Sequence, residues 1–305
     1  MSQSGTISYH FEEVVNCEMC GDSTVKHKII GQRLNKTQGL KPRKKEGISV
    51  SIKKCTNCKL IYSSPQPVPF DIQDHYGIPP ENYWKPEYFL PDPGYFSDQI
   101  KTAKELLDFK PGMKSLDIGA GIGKCMISLD KAGFDTYGFE PSKPYYERAI
   151  SKMNIKASNL KLGMMEEMEY EQDSFDLITF GAVFEHLYHP AACLKKALTW
   201  LKPGGVIHLE IPSSSYLAAR LVNFYYRLGG TNYVSNLSPM HAPFHLYEFD
   251  YKSFSALSGQ LNFSIKHHKY YVGKSILLPK LLAPLLNQYM KWTNTGMQLE
   301  IWLSK

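Results

Sequence analysis

The sequence predicts an α/β fold with a doubly wound, mostly parallel sheet and a small zinc-binding module at its N-terminal end. Two observations lead to this prediction. From residue 97 onward, strand-like apolar segments alternate with helix-like segments, which is typical of a parallel sheet with helices on both faces. Before that point, four of the six cysteines form two Cys-x-x-Cys pairs, a spacing typical of zinc sites.

Length and composition allow one large domain and a small appendage, because the chain has 305 residues and 43% of them are hydrophobic. We expect a zinc-knuckle module at 1–64, a Pro- and aromatic-rich connecting segment at 65–96, and a cofactor domain at 97–305 with an insertion at about 213–245. Residues 1–15 are polar and acidic, and no apolar stretch reaches membrane-spanning length. We therefore expect a cytoplasmic protein without a membrane span.

The net charge of +6 is unevenly distributed along the chain. Between Cys17 and Ile61, eleven Lys or Arg residues stand against three acidic residues, which gives a local net charge of +8. A basic module of this kind is typical of proteins that meet an anionic partner, such as nucleic acid, a nucleotide-linked substrate or a membrane surface. For the basic run at 41–45, a solvated loop without a ligand is an equal alternative.

Strands and helices alternate along the cofactor domain, and most end at Gly or Pro. The predicted strands are 114–118, 136–139, 175–180 and 206–211, and the predicted helices are 98–109, 124–132, 144–153 and 191–201. The last third is less regular, with strands at 263–272 and 297–303 around a helical stretch at 275–292. In the cysteine segment, alternating patterns predict strands at 25–30 and 48–53.

Two apolar stretches have helical spacing. The first, in 213–230, consists of Leu217, Leu221, Phe224, Tyr225 and Leu228. We interpret this stripe as core, with the roof of a substrate pocket as the alternative. The second, at 275–292, is interrupted by Pro279 and Pro284, so it is too broken to span a membrane. It indicates packing or dimerisation rather than contact with lipid.

A glycine-rich turn follows the first strand of the cofactor domain, in Ser115-Leu-Asp-Ile-Gly-Ala-Gly-Ile-Gly123. Glycines let the backbone turn sharply and approach a ligand closely. Glu140 ends the next strand, twenty-one residues after Gly119, which is the spacing of a carboxylate that binds a ribose. The third glycine follows the second by two residues rather than three, which disfavours a dinucleotide.

Five segments in this order resemble class I S-adenosylmethionine-dependent methyltransferases. They are 116–123, 138–142, 175–180, 183–190 and 201–205. The resemblance covers roughly residues 97–305 and implies an enzyme that uses S-adenosylmethionine.

The resemblance also implies the residues around the methionine and ribose of the cofactor. Gly119, Ala120 and Gly121 would line the methionine moiety, and Glu140 would bind both ribose hydroxyls. Asp117 would steady the glycine turn or meet the amino group of the cofactor.

The resemblance also implies the residues around the adenine and around the methyl donor, which lie in two later turns. Met164 and Met165 would bracket the adenine, where the family often has a polar residue, and core filling is the alternative for them. Gly181 and Ala182, just after the fourth strand, would border the methyl donor.

The two cysteine pairs predict a structural Zn²⁺ site formed by Cys17, Cys20, Cys55 and Cys58. Four thiolates satisfy tetrahedral zinc, and in a reducing compartment such pairs are better metal ligands than disulfides. The 34 residues between the pairs exceed the usual spacing, but two strands and a basic loop could occupy them.

A zinc module, a Pro- and Tyr-rich segment and a methyltransferase core in this order resemble one subgroup of the family. The subgroup includes deoxysugar C-methyltransferases, which usually carry a further C-terminal domain. Among the ten histidines, this resemblance implies His245 as the candidate base that faces the substrate. His186, after the fourth strand, is the second catalytic candidate, with bracing of the strand end as its alternative role. His241 is a third histidine in this region, and its alternative interpretation is a residue of a surface loop.

We therefore expect methyl transfer to a carbon or oxygen of an anionic small molecule, such as a sugar nucleotide or related metabolite. A nucleic-acid methyltransferase that grips phosphates through the basic module is one alternative. The sequence after the fourth strand, Phe180-Gly-Ala-Val183, disfavours it, because it lacks the Asn/Asp-Pro-Pro-aromatic tetrapeptide of base amino methylation. A cofactor-binding scaffold without turnover is the other alternative, and the oligomeric state stays open.

Overall fold

A seven-stranded sheet forms the centre of this computed structural model, which describes residues 7–90, 92–238, 240–273 and 283–305. The strands are β1 (Tyr9–Glu12), β2 (Lys28–Leu34), β3 (Ser49–Lys54), β4 (Ile61–Ser63), β5 (Gln66–Pro69), β6 (Lys114–Ile118), β7 (Asp135–Glu140), β8 (Leu160–Leu162), β9 (Phe175–Gly181), β10 (Leu201–Pro212), β11 (Tyr247–Glu248), β12 (Ser264–Tyr271) and β13 (Gln298–Ser304). The α-helices are α1 (Gln73–Tyr76), α2 (Pro80–Tyr83), α3 (Ser97–Leu107), α4 (Lys124–Lys131), α5 (Lys143–Lys152), α6 (Pro190–Trp200), α7 (Leu217–Leu228), α8 (Tyr251–Leu261) and α9 (Ala283–Thr293).

The central sheet has the order β12-β13-β10-β9-β6-β7-β8. The five strands from β10 to β8 are parallel, and β13 is antiparallel to both of its neighbours. The predicted doubly wound, mostly parallel sheet is therefore confirmed.

Successive residues of a central strand are buried on opposite faces of the sheet, because side chains alternate between these faces. On β9, Leu177 belongs to a core cluster with Ala103 of α3 and Leu129 of α4. Its neighbour Ile178 belongs to a cluster with Leu194 of α6. Helices thus cover both faces, and both faces of the central strands are apolar.

The cysteine segment forms a second, antiparallel sheet with the order β11-β4-β3-β2. Its last strand, β11, comes from the C-terminal half of the chain, with Tyr247 opposite Tyr62 and Glu248 opposite Ile61. The hydroxyl of Ser253 also donates to the carbonyl of Cys58 at 2.9 Å. The cysteine segment and the part of the chain that is predicted to bind the cofactor therefore share a sheet and a core.

The proline-rich segment after residue 64 lies against the carboxyl edge of the central sheet. Its first strand, β5, pairs with β1, and short helices follow. The side-chain amide of Gln73 donates to the carbonyl of Pro141, just after β7, at 3.0 Å. The Lys124 ammonium lies over the rings of Tyr88 and Tyr95, at 4.8 and 4.6 Å from their centroids. These contacts fix the segment over the start of α4 and the end of β7.

Two sequence expectations were wrong. The strand predicted at 25–30 begins only at Lys28, because Thr24–Lys26 forms a 3₁₀ turn with Val25 exposed. The stripe at 213–230 is helical, in α7, but it is not core. Its exposed members are Leu221, Phe224, Tyr225 and Leu228. None of these four residues belongs to the described lining of the large cavity at the carboxyl edge of the central sheet.

The buried face of α7 is instead formed by Ala218, Ala219 and Asn223, with Asn223 Nδ2 donating to Asn236 Oδ1 at 2.7 Å. Helical spacing predicts that one face of a helix is more apolar than the other. It does not predict which of the two faces the rest of the chain covers. In the helical stretch predicted at 275–292, residues 274–282 lie outside the described residues, and α9 accounts for the remainder. No helix within the described ranges has the length and apolar character needed to cross a membrane.

Candidate active site and metal site

A cavity of about 700 Å³ lies at the carboxyl ends of β6, β7 and β9. Ligands of open parallel sheets bind at this edge, where the strand order reverses. Seven residues expected to hold the cofactor line the cavity: Gly119, Gly121, Glu140, Met164, Met165, Gly181 and Ala182. The other two, Asp117 and Ala120, line a smaller adjoining cavity of about 180 Å³. The structure thus brings all nine together around one continuous site.

The glycine turn between β6 and α4 is shaped for a ligand that approaches the backbone. Gly119 has a φ of +68°, and a Cβ there would lie 2.5 Å from Cγ2 of Val183. Gly121 and Gly123 also have positive φ values, which favour glycine. Substitution of Gly119 by any larger residue would therefore strain the turn and displace the side chain of Val183.

Glu140 is held in place by the turn that it faces. Its Oε2 accepts a hydrogen bond from the backbone N–H of Gly121 at 2.7 Å, and its Oε1 accepts one from the N–H of Ser142 at 2.9 Å. Burial raises the pKa of this carboxyl to about 7, although both backbone donors lower it. Burial, with the charge of Glu140 as a second cause, raises the pKa of Asp117 to about 8.

His186 and His245 line the cavity, and Glu185 is buried beside both of them. One nitrogen or oxygen of each lies within 4.8 Å of the others. The two imidazole centroids are 4.7 Å apart with the rings edge to face, and His245 Nε2 is 4.0 Å from Oε1 of Glu185. The His186 Nδ1–H donates to the carbonyl of Phe244 at 2.9 Å, which leaves Nε2 as its lone-pair nitrogen.

Burial dominates the electrostatics of this cluster. It lowers the pKa of His186 to about 4 and that of His245 to about 3, and it raises the pKa of Glu185 to about 8. In the described part of the chain, Glu185 Oε2 and His245 Nδ1 are buried without a hydrogen-bond partner. His241, the third histidine considered from the sequence, lies on the exposed loop at the same cavity.

The proline-rich segment contributes part of the cavity wall that the sequence did not assign. Its lining residues are Ile72, His75, Tyr76, Ile78, Trp84, Tyr88 and Tyr95. Burial lowers the pKa of His75 to about 4, and its Nε2 lies 3.0 Å from the hydroxyl of Tyr9. The aromatic richness of the segment was the available signal, but no spacing rule relates it to a cavity. Glu185 was also missed, although it directly precedes the candidate His186.

The four paired cysteines converge on one point at the edge of the antiparallel sheet. The sulfurs of Cys17 and Cys58 are 3.5 Å apart, those of Cys20 and Cys55 are 3.6 Å apart, and all four lie within 4.8 Å of one another. Four sulfurs bound to one zinc at about 2.3 Å lie roughly 3.8 Å apart. All four are free thiols, so the donor set and its spacing fit Zn²⁺.

A family model described as a methyltransferase domain matches residues 95–268, more than half of the chain. The chain belongs to this methyltransferase family. The match includes the glycine turn, Glu140 and the cluster of Glu185, His186 and His245. Its fold and family are those of class I S-adenosylmethionine-dependent methyltransferases.

Curated relatives of this methyltransferase share only part of their length with it. It is 28% identical over 128 residues to phosphoethanolamine N-methyltransferase 2 of Caenorhabditis elegans, covering 41% of this chain and 29% of that protein. It is 32% identical over 129 residues to demethylmenaquinone methyltransferase of Bacillus mycoides, covering 39% of this chain and 54% of that protein. The solved structure of the YcgJ protein of Bacillus subtilis aligns with a TM-score of 0.48 and 16% identity, over 68% of this chain and 96% of that one. The chain thus spans less than two thirds of these curated relatives.

Proposed function

We propose that this methyltransferase transfers a methyl group from S-adenosylmethionine to a carbon or oxygen atom of an anionic biosynthetic small molecule, such as a sugar nucleotide. One observation carries the proposal. The same 700 Å³ cavity is lined by seven of the expected cofactor residues and by His186 and His245, with Glu185 buried beside both histidines. A cavity of this size is typical of sites for small molecules.

The contacts around Glu140 support the placement of the cofactor. Its carboxylate faces the cavity beside the glycine turn and can accept hydrogen bonds from both ribose hydroxyls. The backbone of Gly119, Ala120 and Gly121 would then lie along the methionine moiety, with Asp117 in the adjoining cavity towards its amino group. The apolar side chains of Met164 and Met165 would enclose the adenine.

The bound cofactor supplies an electrophilic methyl group on a sulfonium. The nucleophilic atom of the acceptor forms the new bond to that carbon as the carbon–sulfur bond breaks, so the chain mainly has to align the two. We assign to His245 the proton that the acceptor would lose, because its side chain lines the cavity and its Nδ1 has no hydrogen-bond partner among the described residues. Glu185, whose Oε1 lies 4.0 Å from Nε2 of His245, would position that imidazole as a neutral carboxyl, because burial raises its pKa to about 8. His186 would orient the end of β9.

The wall formed by the proline-rich segment favours a small acceptor over a polymer. Tyr76, Tyr88 and Tyr95 line the cavity together with residues of the glycine turn. The Lys124 ammonium lies over the rings of Tyr88 and Tyr95. Closing segments of this kind exclude water and position the reactants. A nucleic-acid acceptor is the second candidate, because the cysteine segment carries a local net charge of +8.

We also propose a structural Zn²⁺ on Cys17, Cys20, Cys55 and Cys58. The spacing of the sulfurs supports it, as does the small size of the sheet that they join. Zinc would stabilise a segment with few strands of its own.

Mass spectrometry of a reaction mixture tests the function. The protein would be incubated with S-adenosylmethionine and, separately, with nucleotide sugars, lipids, quinones and RNA. We expect one added methyl group on a small anionic acceptor. Methylation of RNA alone would establish the second candidate. Cofactor binding without any product across the panel would favour a scaffold without turnover.

A further inference from the structure

Helix α7 presents its large apolar side chains to solvent. The exposed fractions are 45% for Leu221, 59% for Phe224, 58% for Tyr225 and 71% for Leu228. An amphipathic helix on a globular protein normally turns such a face towards the core. A contiguous exposed apolar patch on a soluble domain marks an interaction surface.

Basic groups border this face on two sides. Arg220 and Arg227 are exposed on α7 itself. The basic loop, defined as residues 41–45 with four Lys or Arg residues, follows Leu40. Leu40 packs at the end of α7, because a Cβ on Gly229 would lie 2.3 Å from Cδ2 of Leu40. The basic loop therefore begins beside the C-terminal end of the apolar face.

A second exposed apolar stripe meets the other end of α7. On α9, the exposed fractions are 72% for Leu285, 50% for Tyr289 and 78% for Trp292. Two residues after α9 ends at Thr293, the carbonyl of Thr295 accepts a hydrogen bond from the N–H of Leu217 at 3.1 Å. The end of α9 thus adjoins the first turn of α7.

We propose that the outer face of α7, the end of α9 and the basic loop together bind the surface of an anionic membrane. For α9 this proposal replaces the packing or dimerisation that the sequence indicated. Helices that lie in a membrane interface combine a face rich in Leu, Phe and Trp with flanking Lys and Arg. The apolar and aromatic side chains would enter the boundary between headgroups and acyl chains. The basic loop, Arg220 and Arg227 would meet the lipid phosphates. This inference does not depend on the acceptor that is methylated.

Charge argues against a second copy of the chain as the occupant. A two-fold interface brings the same surface of both subunits together. Two basic loops, each within a segment of net charge +8, would then be brought into one interface. Like charges opposed in an interface are unfavourable, whereas an anionic bilayer complements them.

Vesicle flotation of the full chain tests the inference. We expect the protein to float with vesicles that contain equal parts of phosphatidylcholine and phosphatidylglycerol, and not with phosphatidylcholine alone. Added salt should weaken binding, since the attraction is partly electrostatic. Phe224→Glu should abolish flotation. Arg43→Ala combined with Lys45→Ala should lower the apparent affinity by roughly 25-fold, at roughly fivefold for each charge near the surface.

Phe70→Glu is the matched control, because Phe70 is also a highly exposed phenylalanine, at 72%, but follows β5 beside the ring of His10. It should float like the unaltered protein. An unaltered protein that fails to bind the anionic vesicles would overturn the inference, and so would equal loss in Phe70→Glu and Phe224→Glu. A concentration-dependent dimer in sedimentation equilibrium, dissociated by Phe224→Glu and indifferent to vesicles, would identify a second copy as the occupant instead.

Discussion

The backbone N–H of Gly121 donates a 2.7 Å hydrogen bond to Oε2 of Glu140, so the glycine turn and the carboxylate that we propose to bind the ribose hold each other in place. The carboxylate already faces the cavity before any ligand enters. Preorganised groups bind more tightly because less ordering is needed on association.

Glu140→Ala should weaken S-adenosylmethionine binding by roughly tenfold or more, because charged hydrogen bonds to the ribose are lost. Isothermal titration calorimetry measures the change. Glu147→Ala is the matched control, since Glu147 lies on the exposed surface of α5 next to Lys143. Equal affinity of Glu140→Ala and the unaltered protein, with the fold intact, would remove Glu140 from the site.

Cofactor affinity should also depend on pH. Burial raises the pKa of Glu140 from 4.5 to about 7, so the carboxyl of the free protein is protonated below about pH 7. Ribose hydroxyls donate best to the ionised form, so affinity should rise as the pH rises through about 7. Binding in more acidic solution should release a proton. Glu140→Gln should flatten this part of the profile, and an unchanged slope in that variant would assign the titration to another group.

The same carboxyl affects the stability of the free protein in the opposite direction. A raised pKa favours the protonated folded state, so the contribution of Glu140 is complete below about pH 4.5 and is lost by about pH 7. Denaturant unfolding at several pH values measures it. The unaltered protein should lose stability relative to Glu140→Gln between these limits, and parallel profiles for the two proteins would contradict the assignment.

His245→Ala should lower turnover by roughly 10²–10⁴-fold if His245 is the base, with little change in cofactor affinity. His186→Ala should lose less, because His186 is bonded to the carbonyl of Phe244. His189→Ala is the control, since this nearby histidine is exposed beside Glu18. Near-normal turnover in His245→Ala with an inactive His186→Ala would reverse the two roles. Activity in both would indicate an acceptor that is nucleophilic without a base.

Elemental analysis of the protein should find one zinc per chain. Cys55→Ser should lose the metal and increase hydrogen exchange in residues 11–64, because one thiolate ligand is missing. S-adenosylmethionine should still bind, since the glycine turn belongs to the other sheet. Cys193→Ser is the control, because Cys193 is buried in α6, outside the cysteine cluster, and should keep the zinc. A stable, metal-free unaltered protein would rule out the zinc site.

Much of the fold could be predicted from the sequence because its rules are local. Buried parallel strands are apolar, and glycines mark the turn after the first of them. The position of Glu140 at the end of the second strand could be predicted, because the length of one strand–helix–strand unit sets the number of residues between it and Gly119. The cysteine pairs predicted a convergence that the structure bears out.

What could not be predicted depends on contacts between distant segments. The pairing of Tyr247 with Tyr62 leaves no trace in either short strand. The cavity wall around Tyr88 arises from the fold of the whole chain. The outward face of α7 was misread because helical spacing identifies a stripe and not what covers it. Glu185 has no distinctive spacing, and its role emerges only beside His245.

The pairing of β11 with β4 also sets an order on synthesis. The cysteine segment leaves the ribosome early, but its sheet is complete only once residues 247–248 have been made. At ordinary rates of translation this interval lasts roughly 10–40 seconds. During that time the edge of β4 is open, and open strand edges invite pairing with other chains. The proposed zinc ligands all lie in the early segment, so metal capture would hold the nascent chain together while it waits for its last strand.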